Sequence, residues 1–584
     1  MSQNIDRLDA SFIKSLCLGY IEEDVILPFP TIKAEDQELL KGVIDALESS
    51  FKGRDDEFRK WDRVGELPDP VLDEMRQLGL FSLIIPETHG GMGMNASAYS
   101  RTLQEISRYD GSLAITAGAH SSIGMRGLVL FGTQAQKDKY YAKLASGEMI
   151  AAFCLTEPGA GSDAASIKTK AVRDGDHWVL NGSKLWITNG GIGDFFTVFA
   201  RTDGPEGQIT AFIVTKEMAG ITCGPHEDKM GLRASNTTTV MFDNVKVPHD
   251  HVLGELGKGF KVAMHILNSG RTGLGGGCIG AMKKCIELSS KQAKERKQFK
   301  RPIAEFGLIK QKIGHMVVEC YATESVVGMV SGLVDQGHKD YAIEAAISKI
   351  FATECLWRTA DEALQVAAGN GFMCEFPYER IVRNSRINRI FEGTNEILRL
   401  FVGLTGMNDV GQELKEVSNS VKGIFDAPIK GFGTISEFAI KRATQLTGIG
   451  TTKGSFTKLH PSLSPYSAIF EEGTRDLSNM AVKLLTKYGK QIIDKQFDTK
   501  RMADVMIDLY VLACMLSRVD STIRAKGLEN CKKELQILGV FSGQVGRRAK
   551  SNFSKIDNND DDLICSLADH ALEHEQYTWD TIEK

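Results

Sequence analysis

The stretch Arg389-Ile390-Phe391-Glu392-Gly393-Thr394-Asn395-Glu396-Ile397-Leu398-Arg399 sets an acid between an aromatic and a glycine, just ahead of a helical pattern. Thr394 suits an N-cap, and Ile397, Leu398, Phe401 and Val402 follow at helical spacing. Phe391 offers an apolar wall, and Gly393 lets the backbone bend and a ligand come close. A carboxylate held against an aromatic in a dry pocket has its pKa raised, as a general base requires. The same residues also suit a glutamate that merely opens a surface helix, and the stretch alone does not choose between them.

Around this stretch lies a chain of 584 residues, too long for one core and fitting about four structural units. With 42% hydrophobic and 25% charged residues it reads as an ordinary soluble globular protein. A formal net charge of -5 leaves no basic excess for nucleic acid. No apolar h-region follows Met1, and no apolar run reaches the roughly 20 residues that span a bilayer. The 11 cysteines run from Cys17 to Cys565 without a C-x-x-C pair, which argues against a zinc site or a disulfide framework. They read as reduced thiols in a cytosolic compartment.

The chain changes period three times. Residues 1–34 read as an irregular arm, with Pro28 and Pro30 opposing helix. Residues 35–148 are helical, with apolar residues three and four apart in 36–51, 70–79 and 98–106. Residues 149–255 switch to β-branched and aromatic runs and read as a mainly antiparallel, barrel-like β domain. Within it, Asn181-Gly182 between two strand-like runs predicts a hairpin. Residues 256–410 return to long helices over 260–299, 307–336 and 341–368, a bundle whose fourth helix follows Glu392. Residues 411–465 read as a linker, and 466–584 as an extra C-terminal helical domain. The fold class is therefore α+β, mainly α.

Two further stretches carry chemistry. In Phe153-Cys154-Leu155-Thr156-Glu157-Pro158-Gly159-Ala160-Gly161-Ser162-Asp163, small residues expose backbone N–H groups and hydroxyls suited to a phosphate. It is neither a Walker loop nor a Rossmann fingerprint, and a tight turn without a ligand fits it as well. In Lys184-Leu185-Trp186-Ile187-Thr188-Asn189-Gly190-Gly191, Trp186 and Thr188 share one face of a strand. That pair suits an aromatic ring with a bonded edge, or simply a strand with one buried Trp. No metal-ligand cluster is visible.

Taken together, the order and spacing of these stretches resemble the acyl-CoA dehydrogenase family of flavoproteins, from about residue 34 to 407. The resemblance rests on 155–163, on Trp-Ile-Thr-Asn-Gly-Gly (186–191), on Lys-Met-Gly-Leu-Arg-Ala-Ser (229–235) and on Arg-Lys-Gln-Phe (296–299). It continues through Gly-Asn-Gly-Phe (369–372) to Phe-Glu-Gly-Thr-Asn-Glu-Ile (391–397). The N-terminal arm, Met264-His265-Ile266-Leu267-Asn268 and the C-terminal extension are similar to the very-long-chain branch. The resemblance implies FAD as cofactor, and a glutamate, here Glu392, that removes the α-proton of an acyl-CoA while the β-hydrogen leaves as hydride. It implies that the Glu392 N–H, with a flavin hydroxyl, meets the developing oxyanion.

By the same resemblance, Phe153, Leu155, Thr156 and Ser162 line the flavin and the CoA pyrophosphate side, and Trp186, Ile187 and Thr188 flank the flavin ring. Arg296, Phe299, Gln365 and Gly369 hold its diphosphate and adenosine, partly across a homodimer interface, and Thr394 and Glu396 complete the cofactor site. Ser162, Asn268, Arg271, Phe391, Gly393 and Arg399 take the acyl-CoA. Gly270 stands where the isovaleryl branch places its base, so Glu392 has no rival there. Glu396 stands where many relatives have glutamine, Ala367-Ala368 where a Gly pair is commoner, and Gly307 where they have a polar residue.

The implied electron acceptor is an electron-transfer flavoprotein. An oxidase using O2 and a respiratory-complex assembly factor with vestigial activity are the alternatives. Phe432, Ile435, Phe438, Ala439 and Leu446 share a helical face near Lys430, Lys441 and Arg442. Segment 424–446 thus suits either a membrane interface or docking on its own protein. The expected location is cytoplasmic, with peripheral contact on the inner face of a membrane (the matrix side in a mitochondrion). Gly270, Gly273 and Gly275-Gly276-Gly277 suggest room for a long acyl tail, or close helix packing.

Overall fold

The structure, a computed structural model, describes residues 11–202, 208–415 and 454–582. The segment 424–446 lies outside the described residues. Contacts divide the chain into two units, one holding Asp24–Leu398 and Ser517–Ile537, the other Phe12–Glu23, Arg399–Leu516 and Leu538–Lys584.

Two short helices, α1 (Phe12–Cys17) and α2 (Glu23–Ile26), occupy the arm expected to be irregular. Pro28 and Pro30 lie beyond both helices and oppose neither, and burial holds the first: Phe12, Ile13, Leu16 and Cys17 are all buried, and Phe12 packs on Phe470 and Tyr510. In the first unit follow α3 (Ala34–Phe51), α4 (Asp55–Val64), α5 (Asp69–Gln77), α6 (Ala96–Tyr109), α7 (Gly111–Gly118), α8 (Arg126–Phe131) and α9 (Gln134–Ser146). Local signals set these ends. Thr133 and Gln136 form a capping box at the start of α9, and Gly147 closes it at φ 72°. Between α7 and α8 the chain makes a π-helical turn, Ala119–Gly124.

The β region comprises β1 (Ala151–Cys154), β2 (Lys170–Asp174), β3 (His177–Thr188), β4 (Phe195–Thr202), β5 (Ile209–Thr215), β6 (Ile221–Cys223), β7 (Thr237–Pro248) and β8 (Val252–Leu253). They form one sheet in the order β6-β7-β3-β2-β4-β5-β8, with β1 also on β4. Most pairs are antiparallel, but β1 and β2 each pair with β4 in parallel. The hairpin predicted at Asn181-Gly182 is not one. Those residues lie inside the continuous strand β3, at a register shift against β7. Gly182 is needed there because a Cβ would meet Thr169 Oγ1 at 2.5 Å and Thr169 Cα at 2.8 Å. The real turn joins β2 to β3, where Asp174 pairs with His177 around Gly175 at φ 61°.

The bundle consists of α10 (Gly259–Glu295), α11 (Gly307–Asp335), α12 (Ala342–Ala367), α13 (Gly369–Phe372), α14 (Tyr378–Arg386) and α15 (Asn395–Gly406). A two-stranded hairpin, β9 (Lys297–Gln298) with β10 (Arg301–Pro302), follows α10. α10 packs on α6, α11 and α12. Its glycines make this close approach. A Cβ on Gly276 would meet Ser100 O at 2.3 Å, and one on Gly280 would meet Gln104 O at 1.9 Å. Gly273 and Gly275 abut Tyr99 and Val327 in the same way, so three of the glycines read as room for an acyl tail (273, 275 and 276) are filled by neighbouring helices. α11 has the length and apolarity to cross a membrane, yet 67% of that stretch is buried inside the protein, as in a core helix.

Four further helices, α16 (Ser464–Tyr488), α17 (Gln496–Lys526), α18 (Lys532–Asp557) and α19 (Asp561–His574), carry the helical pattern expected of 466–584, with α17 to Leu516 and α18 from Leu538 in the second unit. Nearly every residue of 502–516 on α17 is buried.

Candidate active site

The site is built on the turn before α15. Glu392 adopts φ 58° and Gly393 φ 90°, two left-handed residues in succession. Glycine does this freely, whereas for a glutamate it costs about 1–2 kcal/mol. The turn is held from both sides. Thr394 Oγ1 accepts from Ile397 N (3.3 Å), the cap that the sequence predicts. From α12, Lys349 Nζ donates to Gly393 O (2.7 Å) and to Asn395 Oδ1 (2.9 Å). Asn395 Nδ2 in turn donates to Thr353 Oγ1 (3.0 Å) and Glu354 Oε1 (3.2 Å). Lys349, Thr353 and Glu354 follow at helical spacing on α12, so one helix face grips the turn.

The carboxylate these contacts aim is enclosed, and Glu392 Oε2 meets no hydrogen-bond donor among the described residues. Burial pushes its carboxyl above the ordinary glutamate range, and the nearby charges of Arg271 and Lys349 pull it partly back. Burial likewise lowers the Lys349 ammonium to about 7, against the attraction of Glu392. It lowers Arg271 to about 10. Arg271 Nη1 donates to Asn268 Oδ1 (2.6 Å), while its Nε is enclosed without an acceptor. A residue with a side chain at Gly270 would reach the Glu392 carboxylate, since a Cβ there lies 3.6 Å from Glu392 Oε2. The structure thus brings Glu392, Arg271 and Asn268 together, and adds Lys349, which sequence reasoning missed.

The loop 153–163 leaves β1 and is braced from within. Glu157 Oε1 accepts from Lys184 Nζ (2.7 Å), Thr169 Oγ1 (2.6 Å) and Thr169 N (3.0 Å), and Oε2 accepts from Lys168 N (2.5 Å). Lys184 is fully buried on β3 and also donates to Leu155 O (3.2 Å). The sequence alone does not show this buried pair. Its one signal is a lysine at an inward position of an alternating strand.

Beyond the brace, Ser162 is exposed and Thr156 half-buried, and no atom lies within 4 Å of a Cβ at Gly159 or Gly161. Leu155 is buried, and Phe153 packs edge-on against Phe199. On β3, Trp186 adopts φ 56° at a second register shift and holds its ring 63% exposed, not buried. Thr188 is half-buried, while Ile187 points into the sheet core, so only its backbone faces outward. Asn189 Oδ1 and Thr238 Oγ1 are enclosed without donors. An exposed ring for stacking, hydroxyls at its side and an unobstructed glycine loop fit a flavin with a phosphate tail.

The other expected residues lie elsewhere. Arg296, Gln365 and Gly369 are exposed, and Phe299, at φ 52°, is 86% exposed on the hairpin after α10. The turn Ile303–Glu305 packs near Ala363, Val366 and Ala367, which puts these four residues at one end of the bundle. Phe391 is half-buried beside the base, and Glu396 is exposed on the first turn of α15. Arg399 belongs to the second unit, where its Nε donates to Asp504 Oδ1 (2.7 Å). Among the described residues no group of His, Cys, Asp and Glu is arranged to hold a metal ion.

Three models of acyl-CoA dehydrogenase domains match the chain: N-terminal over 34–148, middle over 152–245 and C-terminal over 257–405. A fourth, the ACAD9/ACADV C-terminal domain, matches 461–577. The human mitochondrial very long-chain specific acyl-CoA dehydrogenase is 41% identical over 559 residues, 94% of this chain and 84% of that protein. A probable acyl-CoA dehydrogenase of Bacillus subtilis is 37% identical over 499 residues, 81% of this chain and 78% of that protein. Among solved structures, the acyl-CoA dehydrogenase of Bacillus anthracis complexed with FAD superposes with TM-score 0.79 at 31% identity, covering 97% of this chain and 96% of that one. The butyryl-CoA dehydrogenase of Megasphaera elsdenii gives 0.61 at 35% identity over 64% of this chain and 98% of that one. The motifs and the helix–sheet–helix order agree with these matches: the chain belongs to the acyl-CoA dehydrogenase family of FAD-dependent enzymes.

Proposed function

We propose that the protein converts long- and very-long-chain acyl-CoA thioesters to trans-2-enoyl-CoA, as a step of fatty acid β-oxidation, and passes the electrons to an electron-transfer flavoprotein. The observation that carries this reading is the enclosed Glu392 carboxylate. It is raised toward working pH by burial and aimed by a left-handed turn. A base so placed takes the α-proton at its unpaired Oε2. No acceptor among the described residues takes the Glu392 N–H, which leaves it to stabilise a thioester oxyanion. FAD, when bound, supplies the hydride acceptor for the β-hydrogen. Trp186, Thr188, Thr156 and Thr394 would hold its ring system, and Arg296, Phe299, Gln365 and Gly369 its diphosphate and adenosine, with Ser162 toward the CoA pyrophosphate. Asn268 and Arg271 would orient the thioester beside the base. An acyl chain seated over Glu392 excludes water and raises the carboxyl further.

The long-chain preference is supported by the 41% identity to the very long-chain enzymes and by the matched C-terminal domain. Within the same reading the protein is a homodimer, and 424–446 gives it peripheral membrane contact. The test is anaerobic flavin bleaching by acyl-CoAs of graded length. Glu392→Gln keeps acyl-CoA binding and loses bleaching by on the order of 10³-fold; retained bleaching moves the base elsewhere. Rapid peroxide formation in air would turn the reading to an oxidase.

A further inference from the structure

A fully buried lysine beside a carboxylate whose Oε2 is enclosed asks for a reason, because an ammonium in a dry site is costly unless it is paired. Lys349 is such a lysine. It leaves α12 inside the protein and spends two of its three N–H bonds on the base turn, on Gly393 O and Asn395 Oδ1. Gly393 O belongs to the residue directly after the base, so any shift of the lysine moves the peptide that sets Glu392. The groups that face this pair come from every packed element: Arg271 and Cys278 from α10, Tyr99 from α6, Tyr341 before α12, Glu354 on α12 and Glu396 on α15. Cys278, held up at about 12 by burial, and Tyr99, raised well above its ordinary range, stay neutral at working pH. The cationic neighbours of the carboxylate are therefore Arg271 and Lys349.

We infer that Lys349 is a positioning residue of the reaction: its ammonium fixes the left-handed turn that aims Glu392 and supplies part of the positive charge that keeps the base ionised. The inference rests on Glu392 being the α-proton base. The sign is set by electrostatics. Removing a cation from beside a carboxylate raises the carboxylate's pKa, so less base is ionised at a given pH and the acid limb of the rate profile moves upward.

The test uses the holoenzyme with palmitoyl-CoA, measuring flavin bleaching in single turnovers across pH, with FAD content and palmitoyl-CoA affinity measured alongside. Lys349→Met removes both donors and charge. It should keep FAD and bind palmitoyl-CoA within about 3-fold, yet bleach on the order of 10²-fold more slowly, as expected for a displaced base. Its acid limb should move up by about one pH unit. Lys349→Gln keeps a donor for Gly393 O but no charge, and should recover much of the rate while retaining the upward shift. A Lys349→Gln enzyme with the parent's acid limb overturns the inference, and it does so even where Lys349→Met does not fold. Slow bleaching in Lys349→Met with an unmoved acid limb also overturns it, since that is what a merely structural lysine gives. Glu392→Gln is the control: if it still bleaches, the base assignment has failed, whereas a dead Glu392→Gln beside a parent-like Lys349→Gln means that only the lysine's role has failed.

Discussion

Gly270 on α10 looks directly at Glu392: a Cβ at position 270 would lie 3.6 Å from the Oε2 of the base and 3.1 Å from Ile123 Cγ2. From Gly273 to Gly280, glycines further along the same helix face other helices instead of Glu392. Gly270 thus borders the proposed base, whereas Gly276 and Gly280 serve packing.

Two alanine substitutions separate these duties. Gly280→Ala forces a methyl against Gln104 O at 1.9 Å and should destabilise the fold by roughly 2–3 kcal/mol, with little change in bleaching per folded molecule. Gly270→Ala should leave stability within about 1 kcal/mol, because a helical alanine offsets the mild crowding. It should slow bleaching by crowding the α-carbon of the substrate. Denaturant midpoints and single-turnover rates check the pair; equal effects on both readouts would refute the division.

Trp186 and Ile187 are neighbours on β3 with opposite surroundings. Trp186→Ala removes an exposed ring and should change stability by no more than about 0.5 kcal/mol, while the purified protein loses much of its yellow FAD. Ile187→Ala empties part of the sheet core and should cost about 2–4 kcal/mol, with any FAD loss following the unfolding. Flavin-to-protein absorbance ratios decide the matter, and a fully flavinated Trp186→Ala would remove the stacking role.

Lys184 and Glu157 form a buried ion pair at 2.7 Å under the loop 153–163 proposed to hold the flavin. Lys184→Met strands the carboxylate and should lower stability by roughly 3 kcal/mol, loosening FAD as the loop slackens. Adding Glu157→Gln to it should restore a good part of that loss, because no uncompensated charge remains. Thermal melts of the two singles and the double give the coupling; strictly additive losses would show that the pair does not act as a unit.

Much of this architecture is legible in the sequence because local signals agree with the final packing. The Thr394 cap, the period changes near residues 149 and 257, and the glycine loop at 159–161 each act within a few residues. Other features depend on partners far along the chain. Asn181-Gly182 reads as a hairpin, but its glycine answers to Thr169 across the sheet. Ile347-Ser348-Lys349-Ile350 reads as an apolar helix with one lysine, and only the turn at Gly393, 44 residues on, shows why that lysine is buried. The glycine run of α10 has two meanings in sequence, and the carbonyls of Ser100 and Gln104 decide for packing at 276 and 280. The first helix of the arm forms because Phe12 and Leu16 are buried and Phe12 meets Phe470 and Tyr510.

The left-handed backbone of Glu392 has a consequence for how this position endures change. A glycine there would adopt φ 58° without strain, and an asparagine nearly so. Either replacement relieves about 1 kcal/mol of backbone strain, but it also leaves the buried Arg271 and Lys349 cations without the carboxylate that attracts them. Strain and charge therefore pull in opposite directions at this position. The backbone at 392 favours a glycine or an asparagine, and what recommends a glutamate there is its carboxylate.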